Sequence, residues 1–137
     1  MAREEAIGKA VLDAAIRVHS ELGPGLLESA YETCLAYELT SSGYDLERQL
    51  RLPVQYRGRT IDAGYRLDLL VEKLVIVELK VVECFSPVHV AQLLSYLKLG
   101  NLTLGYLLNF NVAHMRQGIK RVVYGHKSCI PSRPSRP

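Results

Sequence analysis

Apolar residues recur at helical spacing from residue 4 to residue 22, with Ile7, Val11, Ala14, Ala15, Val18 and Leu22 on one face. Gly23-Pro24-Gly25 ends that helix, and a second is expected from about Leu26 to Ser42, closed by Gly43 as a left-handed cap. The period then falls to two. Leu46 to Tyr56 reads as a strand with Leu50, Leu52 and Val54 on one side, and Pro53 points to an edge position or a bulge. After the turn signal Arg57-Gly58-Arg59, a second strand is expected with Ile61, Ala63, Tyr65, Leu67 and Leu69 alternating with polar neighbours. The run Leu74 to Lys80 is almost continuously apolar, as in a central strand covered on both faces. Ser86-Pro87 opens a helix reaching about Leu99, and Thr103–Phe110 and Ile119–Tyr124 complete an α-α-β-β-β-α-β-β order.

The 137 residues suit one domain, expected over 1–126, with a disordered basic Pro/Ser/Arg tail over 127–137. Charges interrupt every apolar run before membrane-spanning length, and the acidic start Met1-Ala2-Arg3-Glu4-Glu5 lacks the pattern of a signal peptide. Cys34, Cys84 and Cys129 fit neither a disulfide framework nor a zinc site, so a cytoplasmic location is expected. The net charge of +3 is a property of the tail, which holds Lys127, Arg133 and Arg136 and no acid. Setting those three aside leaves 14 basic against 14 acidic residues, and a neutral body gives little general attraction for phosphates. A nucleic-acid function must therefore rest on a site.

Four polar features stand where the pattern calls for core. Glu28 shares a helix face with Tyr31 and Leu35, where a solvated helix-start acid is the ordinary alternative. Glu78 and Lys80 interrupt the central strand and project to one of its faces, as an ion pair at a strand end or as something more costly. Asp68 sits near the end of the preceding strand. A three-residue connection at Glu72-Lys73-Leu74 would set it opposite Glu78 on a shared face, and a strict two-residue turn would set the two on opposite faces. Gln92 and Tyr96 lie one turn apart on the following helix. Two carboxylates from adjacent strands and a third from a helix offer hard oxygen ligands for Mg²⁺ or Mn²⁺. Such an ion activates water and polarises a phosphoryl group, and a lysine beside it offsets charge in the transition state.

Gly25-Leu26-Leu27-Glu28-Ser29-Ala30-Tyr31 resembles the motif of the GxxExxY protein family, as do Leu22-Gly23-Pro24-Gly25, Asp68, Val77-Glu78-Leu79-Lys80 and Gln92-Leu93-Leu94-Ser95-Tyr96-Leu97-Lys98. The resemblance runs from about Ile7 to Tyr124 and leads to the PD-(D/E)xK nuclease superfamily, with Leu67 standing where the superfamily's proline would be. It implies a restriction-endonuclease-like α/β fold, an αβββαβ core with a mixed central sheet flanked by helices, plus an extra N-terminal helix. It also implies a Mg²⁺- or Mn²⁺-dependent nuclease hydrolysing phosphodiester bonds of DNA, with RNA open as substrate. Asp68, Glu78 and Lys80 would be catalytic, and Asp68, Glu78 and Glu28 would hold the metal. Gln92, Tyr96 and Tyr31 would support the site or contact nucleic acid. A homodimer is left open. The rival expectation is a non-catalytic nucleic-acid-binding or protein-interaction module that keeps the fold.

Overall fold

A computed structural model of the chain describes residues 1–125. The expected tail falls outside them. Helices α1 (Ala2–Leu22) and α2 (Glu28–Ser41) occupy the expected segments. Gly43, at φ 93°, supplies the left-handed residue that closes α2, and the Tyr44 amide returns to the Leu39 carbonyl at 3.1 Å. Strands β1 (Leu46–Arg51), β4 (Arg66–Val71), β5 (Val75–Lys80), β6 (Leu104–Asn109) and β7 (Ile119–Val123) form one mixed sheet in the order β1-β4-β5-β6-β7. Its central pair, β5 and β6, is parallel. The crossover between them is α3 (Pro87–Gly100), which starts at the expected Ser86-Pro87 and stops at Asn101 in the left-handed region. His89 Nδ1 accepts the Ser86 amide at 3.0 Å and so satisfies the start of α3.

Two expected strands are each divided. The alternation from Leu46 to Tyr56 covers β1 and a separate β2 (Val54–Tyr56), and Ile61 to Leu69 covers the end of β3 (Arg59–Ile61) and most of β4. Pro53 has no amide to donate, and Gly64 turns at φ 82°, so the ladder stops on both sides and β2 and β3 pair as their own ribbon. The ribbon leaves the sheet beside the Leu52 amide, which donates to the Tyr65 carbonyl at 2.9 Å.

Helices α1 and α2 cover one face of the sheet over Leu69, Val71, Val75, Val77 and Tyr106, and α3 covers the other over Leu67, Leu70, Ile76 and Leu107. β5 is buried along its length except at Lys80, as its apolar run predicts. Leu67 and Leu69 have the same parity yet pack in opposite layers, and so do Leu50 and Leu46 on β1. Both strands therefore change face at the positions between, Asp68 and Gln49. The β1–β4 register keeps the same offset on both sides of that point, where Gln49 and Asp68 drop out of the pairing, and Gln49 absorbs the change at φ 50°. The regular alternation expected through Asp68 is interrupted there.

Candidate active site

The motif around Glu28 has a mechanical reading. Gly25 sits at φ 102°, where a side chain is strained, and lets the chain turn between α1 and α2. The Tyr31 hydroxyl donates to the Gly23 carbonyl at 2.6 Å and accepts the Leu26 amide at 3.1 Å, so the loop is fastened from inside. The Tyr31 ring is fully buried and stacks on Phe110 with centroids 4.5 Å apart. So placed, it fastens the α1–α2 loop from within and offers no surface to nucleic acid. Glu28 emerges at the first position of α2, solvent-exposed on one side. Its carboxyl is nevertheless raised, by partial desolvation first and then by Asp68.

The connection from β4 to β5 holds three residues, with Leu69 opposite Val77 and Val71 opposite Val75. That register carries Asp68 opposite Glu78. Because β4 changes face at Asp68, the ladder gives way to side chains: the Asp68 amide donates to Glu78 Oε2 at 2.8 Å, and the Leu79 amide donates to Asp68 Oδ2 at 2.9 Å. Each acid thus holds the other's strand with one oxygen. Glu78 is 5% exposed and its Oε1 has no hydrogen-bond partner among the described residues. Burial, then the neighbouring Asp68, push the Glu78 carboxyl up to about 8. Asp68 is raised as well, chiefly by burial. Lys80 lies half-buried at the end of β5, and its charge lowers the carboxyl pKa of Glu28, Asp68 and Glu78 alike.

Two residues that the sequence pattern did not single out complete the cluster. Glu32, one turn beyond Glu28 and 6% exposed, accepts Arg48 Nε at 3.2 Å and Gln49 Nε2 at 2.8 Å. The same Gln49 nitrogen stands 3.3 Å from Asp68 Oδ1, so the face change at Gln49 aims its amide at the acid. Glu32 could have been found from its i+4 spacing to Glu28. Gln49 on a strand rich in polar residues gave no signal. Asn109 is a third: Lys80 and Asn109 are register partners, and Asn109, 2% exposed, takes the Val82 amide at 3.2 Å and donates to the Val82 carbonyl at 2.8 Å. It fastens the chain just beyond the lysine.

From α3, Tyr96 is buried with its hydroxyl raised by desolvation and then by Glu78, which places it beside the acids. Gln92 is half-buried one turn back and lines a groove with Tyr65 and Tyr96.

Among the described residues no three His, Cys, Asp or Glu side chains converge closely enough to hold an ion as placed. The donor set nevertheless suits a small hard cation. Mg²⁺ is commonly held by one or two carboxylates and otherwise by water. Asp68 and Glu78 supply two, one of them with an unpartnered buried oxygen.

A mixed five-stranded sheet between α1–α2 and α3, with an acid at the start of β4 opposite the Glu-x-Lys of β5, defines the restriction-endonuclease-like fold. The family model for the PD-(D/E)XK nuclease superfamily matches residues 5–122, and the chain belongs to that superfamily. Its members are phosphodiesterase nucleases that generally use divalent metal ions. No curated protein and no solved structure matches the chain significantly. No described helix is long and apolar enough to cross a membrane.

Proposed function

We propose that this chain, a GxxExxY-type member of the superfamily, is a cytoplasmic nuclease that hydrolyses phosphodiester bonds of DNA with Mg²⁺ or Mn²⁺. The observation that carries the reading is the pairing of Asp68 and Glu78 across β4 and β5, each with one oxygen committed to a backbone amide and one turned to other use. A buried carboxylate left in this state costs several kcal/mol unless it gains a partner. A bound divalent cation would be such a partner and would supply Lewis-acid charge and water activation at the scissile phosphate. Asp68 and Glu78 would hold it, with Glu28 at the start of α2 as the third carboxylate available to it. Gln49, itself held by Glu32, fixes Asp68. Lys80 places a positive charge where negative charge develops on the phosphoryl oxygens.

Calorimetric titration with Mn²⁺ tests the site before any substrate is chosen. The wild type binds, and Glu78→Ala does not. Saturating metal raises the melting temperature, worth about 2.7 kcal/mol at a hundredfold excess over the dissociation constant. Lys80→Ala keeps metal binding and loses cleavage of DNA. The neutral body, and the lack of a ready three-carboxylate cluster among the described residues, favour the rival, a binding module without catalysis. A wild type that binds DNA but leaves it uncut with either metal decides for the rival.

A further inference from the structure

The carboxylate site leaves the β2–β3 ribbon without a task. From Arg51 to Arg66 the chain carries four arginines against the single acid Asp62, in a body whose charges balance only with this segment included. Arg51 pairs with Asp62. Arg57, Arg59 and Arg66 have no acidic partner among the described residues. Every residue from 55 to 66 is exposed. The turn places Arg57 at φ 50° and Gly58 at φ 78°, a geometry that favours Asn or Gly at the first position. An arginine is kept there at a backbone cost, with its guanidinium 5.7 Å from the centre of the Tyr56 ring. That ring is 57% exposed.

The ribbon also stands in the right place. It joins the sheet at the ends of β1 and β4 that carry Gln49 and Asp68, and Arg66 is two residues, roughly 7 Å of strand, from Asp68. At its base the half-exposed Tyr65 lies against Tyr96, ring centres 6.0 Å apart. Between Tyr65 and the outer face of α3 runs an open groove of about 440 Å³, bordered by Val88, Gln92 and Leu99. Tyr96 and Tyr65 thus adjoin at the base of a ribbon that carries Arg57, Arg59 and the exposed ring of Tyr56, with Arg66 next in sequence to Tyr65.

We propose that the β2–β3 ribbon and the outer face of α3 form a clamp for a single strand of nucleic acid, delivering it to Asp68 and Glu78. Phosphates meet Arg57, Arg59 and Arg66, and unstacked bases lie on Tyr65 and Tyr56. A duplex keeps its base faces stacked inside and gains nothing from these rings, whereas a single strand gains at each one. The inference rests on the nuclease reading and narrows its substrate.

Fluorescence anisotropy with a labelled DNA oligonucleotide, as a single strand or annealed into a blunt duplex, measures it in EDTA, where no turnover occurs. The single strand binds at least about tenfold tighter, and Tyr65→Ala weakens it by about tenfold. Joint replacement Arg57→Ser, Arg59→Ser lowers the slope of log affinity against log salt by about 1.4, at roughly 0.7 per lost phosphate contact. Lysine at both positions restores the slope, which a merely structural role would not predict. No binding, equal or tighter duplex binding, or serine variants that bind like wild type overturn the clamp. A protein that binds single strands through the ribbon but never cuts overturns the nuclease reading and keeps the clamp. Serine variants that cut dilute single-stranded DNA at the wild-type rate overturn the clamp and keep the nuclease.

Discussion

The amide of Asp68 donates to Oε2 of Glu78 at 2.8 Å, so a carboxyl that resists ionisation also helps to hold the neighbouring strand. The bond survives protonation of Glu78, because the accepting oxygen keeps a lone pair in either state. What changes with pH is the cost of the charge.

Glu78 is raised from an ordinary 4.5 to about 8 by burial and by Asp68. A carboxyl whose folded value lies above its unfolded one contributes stability that is fully present below about pH 4.5 and is lost as pH rises through about 8. Glu78→Gln keeps an acceptor for the Asp68 amide and removes the titration. The variant should come close to the wild type near pH 5 and exceed it at pH 9, by on the order of 4 kcal/mol. Metal-free melting curves at the two values check this, and a gap that stays constant with pH would refute it.

Gln49 combines a strained backbone with a contact to Asp68. Gln49→Ala removes the amide and keeps the strain, whereas Gln49→Gly removes both. Glycine should be the more stable of the two by about 1 kcal/mol, since only it adopts φ 50° freely. Both should lose metal affinity by about tenfold to a hundredfold, the usual consequence of removing a group that orients a ligand. Equal Mn²⁺ affinity in wild type and both variants would show that Asp68 needs no such support.

Tyr31→Phe keeps the ring stacked on Phe110 and removes the hydroxyl that joins Gly23 to Leu26. The expected loss of stability is about 1 kcal/mol, because water can reach part of the loop. The larger effect falls on Glu28, whose position depends on that loop. Calorimetry should show weaker Mn²⁺ binding in Tyr31→Phe, and an unchanged isotherm would separate Glu28 from the metal.

A methyl group on Gly118 would overlap the backbone carbonyl of Asn109. Backbone cannot swing aside as a side-chain end can. Gly118→Ala should therefore cost about 1–3 kcal/mol and loosen the Asn109 fastening beyond Lys80. Thermal melting measures the cost, and faster exchange of the Val82 amide in a hydrogen-exchange experiment locates it.

The site was legible where it broke a pattern. Glu78 and Lys80 stood out because every neighbour in their strand was apolar, and Asp68 because one choice of turn length brought it opposite Glu78. The sequence left that choice open, since turn length at Glu72-Lys73-Leu74 is fixed by backbone geometry, with both Glu72 and Lys73 at positive φ. Gln49 and Glu32 were hidden for the converse reason. A second glutamate on a helix looks solvated until the fold buries it, and a glutamine on an edge strand stays exposed and gains its role only from the contacts its turned backbone allows. The ribbon was missed because alternation runs on across Pro53, and period alone does not tell one long strand from two short ones that pair elsewhere.

The outer strands of the sheet are β1 and β7, and each presents charge along its length: Glu47, Arg48 and Arg51 on one, Lys120 and Arg121 on the other. Two molecules aligned through β7 would bring the lysine and arginine of one against those of the other, and peptide hydrogen bonding would have to overcome that repulsion. Growth of the sheet from copy to copy is thereby discouraged. At β7 the exposed charges thus work against edge-to-edge stacking of copies, while β1, with Glu47 beside Arg48, carries both signs.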